Sequence, residues 1–145
     1  MMSMDATMIF LCGCYCIGMA IFHAFFTKLF DWKNELAKMN VANKAIIQIA
    51  NLRLIYLFVF VALICFLFPT ELTTTSLGRF FMIGMSVFWF TRMIEQFIFL
   101  KVNHPLVHLL TYLFLLGSIL FLVPVILWYM LWLKPNSPGV PLPTV

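Results

Sequence analysis
Seven side chains carry the chemistry this chain can do: His23, Gln48, Asn51, Arg92, Glu95, Gln96 and His108. Three of them fall in "TRMIEQF", where Arg92, Glu95 and Gln96 are spaced to share one face of a helix. A guanidinium beside a carboxylate and an amide can hold a phosphate, a carboxylate or a quinone carbonyl. It can equally form an internal ion pair that fixes how helices pack. His23 and His108 add two imidazoles, each a proton carrier near neutral pH and a metal ligand. On different helices at similar depth, the two could serve as axial ligands of haem b in a four-helix bundle. The competing role for each is a hydrogen bond to a neighbouring helix. Gln48 and Asn51, three residues apart, would put two amides on the same side. His104 and His108 have the spacing of a metal chelate on one helix face. No HExxH pattern and no adjacent carboxylate accompany them, so no metal site is assigned.

The thiols pose a separate question. Cys12, Cys14 and Cys16 alternate along one segment, and Cys65 stands alone. One of the three could bridge to Cys65 on an oxidising outer face. The alternative is a set of buried, inert thiols. Cys12 and Cys16 face one way on a helix and Cys14 nearly the opposite, so the three cannot share a tetrahedral metal site. No CxxC occurs, which argues against a dithiol relay.

What must position these groups follows from composition. Of 145 residues, 64% are hydrophobic and 10% charged, and the mean hydropathy is +1.06. Such a chain cannot clothe a soluble domain in polar surface. The class it implies is an all-α integral membrane protein. Four runs reach the roughly 20 apolar residues that a spanning helix needs: about 7–30, 45–68, 79–100 and 104–133. None alternates as barrel strands do, and helices satisfy their own backbone in lipid. The expectation is one four-helix, up-down-up-down bundle over residues 1–134, with a Pro-rich extracytoplasmic tail at 135–145. Pro69 and Gly78 in "FPTELTTTSLG" and Pro105 in "KVNHP" mark the breaks, and Pro124 is expected to kink the last helix. The first run has no basic residue before it, so it reads as a retained helix rather than a cleaved signal.

Charge gives the orientation. Lys28, Lys33, Lys38, Lys44, Arg53 and Lys101 fall on one side of such a bundle, and only Arg79 and Lys134 on the other. The positive-inside rule then puts both termini outside the cytoplasm, in a bacterial inner membrane. This bias also accounts for the net charge of +4 without any nucleic-acid partner. Trp32 at one face and Trp128, Tyr129 and Trp132 at the other fit interfacial aromatic belts. In "DWKNELAKMNVAN", Trp32, Leu36 and Met39 are expected to face lipid. At about 1.5 Å per residue, His23, Asn51, Arg92, Glu95, Gln96 and His108 all fall in the cytoplasmic half. Arg53 lies about 160° around its helix from Asn51, so it either snorkels or is the partner of Glu95.

The layer reads as a pocket open to one side. A proton relay would need to continue across the bilayer, and the outer half offers only Ser86, Ser118, Tyr56 and thiols. Acyl or phosphoryl transfer would need a nucleophile at a spacing specific to an enzyme class, and none appears. The favoured expectation is a binding protein for a lipid headgroup, a quinone-like molecule, another small anionic ligand or a membrane partner subunit. The alternative is a haem-binding redox protein, or a small membrane enzyme, using the same histidines.

The segments "FHAFFTKLFDWKNEL", "QIANLRLIY", "FWFTRMIEQFIF" and "NHPLVHLLT" together resemble small four-helix bacterial inner-membrane proteins of no assigned activity. The resemblance runs from about Gly18 to Pro124 and implies no residue roles. In size and helix count the chain is also similar to the DoxX-like and HemJ-type proteins. The HemJ-type analogy implies haem in a four-helix frame.

Overall fold
The computed structural model describes residues 4–101, 103 and 105–133, and every regular element among them is helical. The order is α1 (Met4–Ala24), α2 (Phe26–Leu29), α3 (Trp32–Glu35), a short 3-10 turn (Leu36–Lys38), α4 (Val41–Leu67), α5 (Pro69–Thr74), α6 (Ser76–Phe99) and α7 (Pro105–Trp132). Four of them, α1, α4, α6 and α7, are long and apolar enough to cross a membrane. Most of their large apolar side chains remain exposed, Phe80 at 75% and Phe99 at 81% among them. In water that surface would drive aggregation, whereas lipid tails solvate it. The tail at 135–145 and His104 lie outside the described residues.

Local chemistry sets the helix limits. The first run stops at Ala24, earlier than its apolar composition predicts, because at Phe25 the backbone N–H is shared between the carbonyls of Ile21 and Phe22. The chain then turns at Asp31, whose φ of 43° is left-handed, a conformation that aspartate tolerates better than most residues. Asn34 donates to the Asp31 carboxylate at 2.7 Å and closes that turn. Leu36 is buried, not turned to lipid as the sequence suggests, because this turn folds it back against the bundle. Glu35 accepts a 2.7 Å bond from Lys38 and so holds that exposed ammonium above the ordinary lysine pKa. Asn40 caps α4 through the N–H of Asn43, and Thr75 caps α6 through the N–H of Gly78. Pro69 opens α5 at a position where its missing N–H costs nothing. Gly78, read from sequence as punctuation, lies inside the first turn of α6. A Cβ there would meet the Glu71 carbonyl oxygen at 2.2 Å and the Leu72 Cα at 2.5 Å. It is the contact between α5 and α6 that requires glycine.

Contacts between helices pair opposite ends. Phe10 of α1 meets Phe66 of α4, and His23 meets Asn51. Tyr15 donates to the Leu113 carbonyl of α7 at 2.8 Å, and Cys12 to that of Leu120 at 3.2 Å. Between α6 and α7, Ser86 donates to the Ser118 carbonyl at 2.8 Å. The centre is aromatic. Trp89, fully buried, stacks on Phe58 of α4 at 5.2 Å and meets Tyr15 edge-on at 5.0 Å. Gly117 of α7 makes room for this cluster, since a Cβ there would lie 2.6 Å from the Tyr15 hydroxyl and 2.9 Å from the Trp89 ring. Cys12, Cys16 and Cys65 are free thiols in the same buried cluster, and Cys14 is exposed. No bridge to Cys65 is present among the described cysteines, and Cys12, Cys16 and Cys65 are the buried thiols of the other reading. α7 runs unbroken through the buried Pro124.

Candidate functional site: a cavity at the ends of α1, α6 and α7
His23, Arg92, Glu95 and Gln96 line one cavity of about 140 Å³, with Phe26 and Phe114 among its apolar walls. That is close to the roughly 150 Å³ of a protein cavity able to hold benzene. Sequence spacing already gave Arg92, Glu95 and Gln96 a common face. The packing of α1 against α4 adds His23 from the last turn of α1.

Asn51 of α4 stands behind His23 and fixes its chemistry. The Asn51 amide nitrogen donates to the His23 carbonyl at 3.1 Å, which orients the amide. The Asn51 amide oxygen therefore faces His23 Nδ1, at 2.9 Å, and Nδ1 must carry the proton. In the neutral ring Nε2 is then the nitrogen with a free lone pair. Phe26 stacks on the ring at 4.2 Å and holds its plane.

Gln96 is fixed in the same way. Its amide nitrogen donates to the Val107 carbonyl and to Thr111 Oγ1, the latter at 3.0 Å. Thr111 spends its own hydroxyl proton on the Val107 carbonyl, at 3.0 Å. Both neighbours are acceptors, so a flipped amide would set oxygen against oxygen. The Gln96 carbonyl oxygen is left buried without a partner, in a residue only 4% exposed. Buried in this way it is out of reach of a group in the cavity, and its lost hydrogen bond is offset by the two that its amide nitrogen makes.

The charged pair at the rim is loose. Arg92 reaches Glu95 through one nitrogen at 3.3 Å, with the two side chains 46% and 52% exposed. A pair this exposed contributes little to stability. It leaves most of the guanidinium N–H groups of Arg92 free to turn to a ligand.

The other sequence candidates lie elsewhere. Gln48 lines a separate groove with Trp32, Lys33 and Lys44. His108 is exposed, pairs with Asn103 at 2.9 Å, and is not part of the cavity wall. His23 and His108 are thus not brought to one site as a haem-ligating pair. The rotation of α7 that lets Val107 and Thr111 meet Gln96 turns His108 outward. Arg53 is exposed, and the partner of Glu95 is Arg92. Among the described residues, no three metal-ligating side chains converge.

One buried cation escaped the sequence reading. Arg79 counts there only as a charge at the outer end of the third run, yet it is 6% exposed. The available signal was its place one turn into a helix after "TELTTTS", where the final carbonyls of a short helix need donors. No family model, no curated protein and no solved structure matches this chain.

Proposed function
We propose that this chain is an inner-membrane protein of bacteria with an up-down-up-down helix arrangement and both termini extracytoplasmic. On this reading it binds a small headgroup or a quinone-like ring in the cavity of His23, Arg92, Glu95 and Gln96. The observation that carries the reading is the free Nε2 of His23, its tautomer fixed by Asn51, in the wall of a cavity that also holds a guanidinium with N–H groups to spare. Lys28, Lys33, Lys38 and Lys44 cluster where α1 ends and α4 begins, the end at which the cavity lies, and this supports a cytoplasmic opening.

The chemistry narrows the ligand. Arg92 offers donors to an oxyanion or a carbonyl. His23 offers the Nε2 lone pair to a hydroxyl or an N–H. A ligand that satisfies both carries an acceptor and a donor within one headgroup-sized unit. A hydroxylated or aminated phospholipid head does so, and so does a quinone in its half-reduced or reduced form. A simple anion such as acetate would satisfy Arg92 and leave the His23 Nε2 lone pair without a donor.

The test is mass spectrometry of lipids and quinones extracted from the purified protein, compared with the bulk membrane. Enrichment of one such species that is lost in both His23→Leu and Arg92→Gln is the expected result. An extract identical in wild type and variants would overturn the proposal.

A further inference from the structure
At the other end of α6 the chain buries a cation that no described carboxylate pairs with. The Arg79 guanidinium lies 3.8 Å over the ring of Trp128. Its Nη1 donates to the carbonyls of Thr73 and Thr74, at 3.2 and 2.8 Å, and its Nη2 to Ser76 Oγ at 3.2 Å. These bonds close the end of α5, where carbonyls lack intrahelical partners. They use three of the five N–H groups an arginine has. The ion pairs among the described residues are Lys38 with Glu35 and Arg92 with Glu95, so no described carboxylate pairs with Arg79. Carbonyl dipoles and an aromatic face offset part of the cost of burying this charge, but they do not neutralise it.

Beside Arg79 is an open notch of about 240 Å³ lined by Ser76, Arg79, Trp128, Tyr129 and Trp132. Every polar side-chain group on this lining can donate. Ser76 accepts from Arg79, so its hydroxyl proton is free to point outward. Tyr129 brings a phenol and Trp132 an indole N–H, and no carboxylate lines the notch. A donor-rich rim over a buried guanidinium, two of whose N–H groups are not used by these bonds, is matched to an oxyanion. The first cavity differs in kind, since it presents lone pairs and a carboxylate. Thirteen residues of α6 separate Arg79 from Arg92, about 20 Å along the axis.

We propose that Arg79, Ser76 and the aromatic cluster of Trp128, Tyr129 and Trp132 form a second binding site, specific for a phosphate group. The phosphate can come from a lipid or from a soluble phosphate. Tryptophan and tyrosine at the end of an apolar helix match the depth of lipid headgroups.

The experiment is native mass spectrometry of the full chain in detergent, titrated with phosphatidic acid, with diacylglycerol of the same acyl chains, and with inorganic phosphate. Phosphatidic acid should bind at least about tenfold more tightly than diacylglycerol, the scale of one charge-assisted hydrogen bond. Arg79→Gln should abolish that preference. Ser76→Ala, which keeps both carbonyl bonds of Arg79, should weaken it by about tenfold. In an Arg92→Gln background, which removes headgroup binding at the first cavity, the preference should persist and should still be lost on adding Arg79→Gln. Competition by inorganic phosphate would identify the soluble form as sufficient, and no competition would identify the lipid. If phosphatidic acid and diacylglycerol bind alike, or if folded Arg79→Gln or Ser76→Ala keeps the full preference, Arg79 only closes α5 and the proposal fails.

Discussion

Asn51 holds His23 with both ends of its amide, taking Nδ1–H at 2.9 Å and donating to the His23 carbonyl at 3.1 Å. One side chain thus secures a backbone group one residue before α1 ends, and it also selects the imidazole tautomer. The cavity inherits a lone pair at Nε2 from a residue that is not part of its wall.

Replacing Asn51 with leucine removes both bonds. The cost to stability is expected at about 0.6–1.7 kcal/mol, the range measured for polar contacts between membrane helices. Thermal unfolding in detergent reads that number. Nitrogen-15 spectra of labelled histidine read the tautomer. Wild type should show His23 protonated at Nδ1, and Asn51→Leu should show a mixture. A mixture already present in wild type would contradict the hydrogen-bond assignment.

Two glycines should behave differently from each other. In Gly117→Ala the new methyl meets the flexible end of Tyr15 and the rim of Trp89. These can shift, at an overpacking cost of about 1–3 kcal/mol. In Gly78→Ala the methyl meets backbone atoms of Glu71 and Leu72, which cannot move without opening the contact between α5 and α6. The larger loss of melting temperature is therefore expected for Gly78→Ala. Equal losses would show that α5 is free to swing away.

An absorption spectrum of purified protein, oxidised and then reduced with dithionite, tests the haem alternative. His23 lines the cavity while His108 faces outward to Asn103, so no bis-histidine Soret band is expected. A band that shifted on reduction and vanished in both His23→Ala and His108→Ala would require a different rotation of α7.

The four cysteines are free thiols. Thiol titration of unreduced, SDS-denatured protein should return all four, and Cys65→Ser should show no mobility change on reduction. In the folded protein Cys14, the exposed one, should label with a membrane-permeant maleimide ahead of Cys12, Cys16 and Cys65. Recovery of two thiols would indicate a disulfide that the folded contacts do not contain.

The helix inventory was legible in the sequence because lipid demands long apolar segments with self-satisfied backbones. The common face of Arg92, Glu95 and Gln96 was legible because it depends only on spacing along one helix. His108 was not. Depth alone put it in the layer with Gln96, yet Val107 and Thr111 are the α7 residues that meet Gln96, and His108 lies outside the contact. Gln48 likewise shares a helix side with Asn51 in projection, but the turn at Asp31 gives it a groove of its own with Trp32 and Lys33.

The sequence by itself determined the all-helical character, the number of helices long and apolar enough to cross a membrane, and the residues with chemistry to offer. The tertiary structure alone decided which of those residues meet. It joined His23 to Arg92, turned His108 away, buried Arg79 under Trp128 and set a glycine where α5 crosses α6. The physical reason is that a helix bound for lipid is apolar all round. The side that packs and the side that faces lipid tails are made of the same residue types, so no hydrophobic stripe reports the rotation of a helix about its axis. That rotation is fixed by contacts between segments far apart in sequence, such as Tyr15 with Leu113 and Ser86 with Ser118.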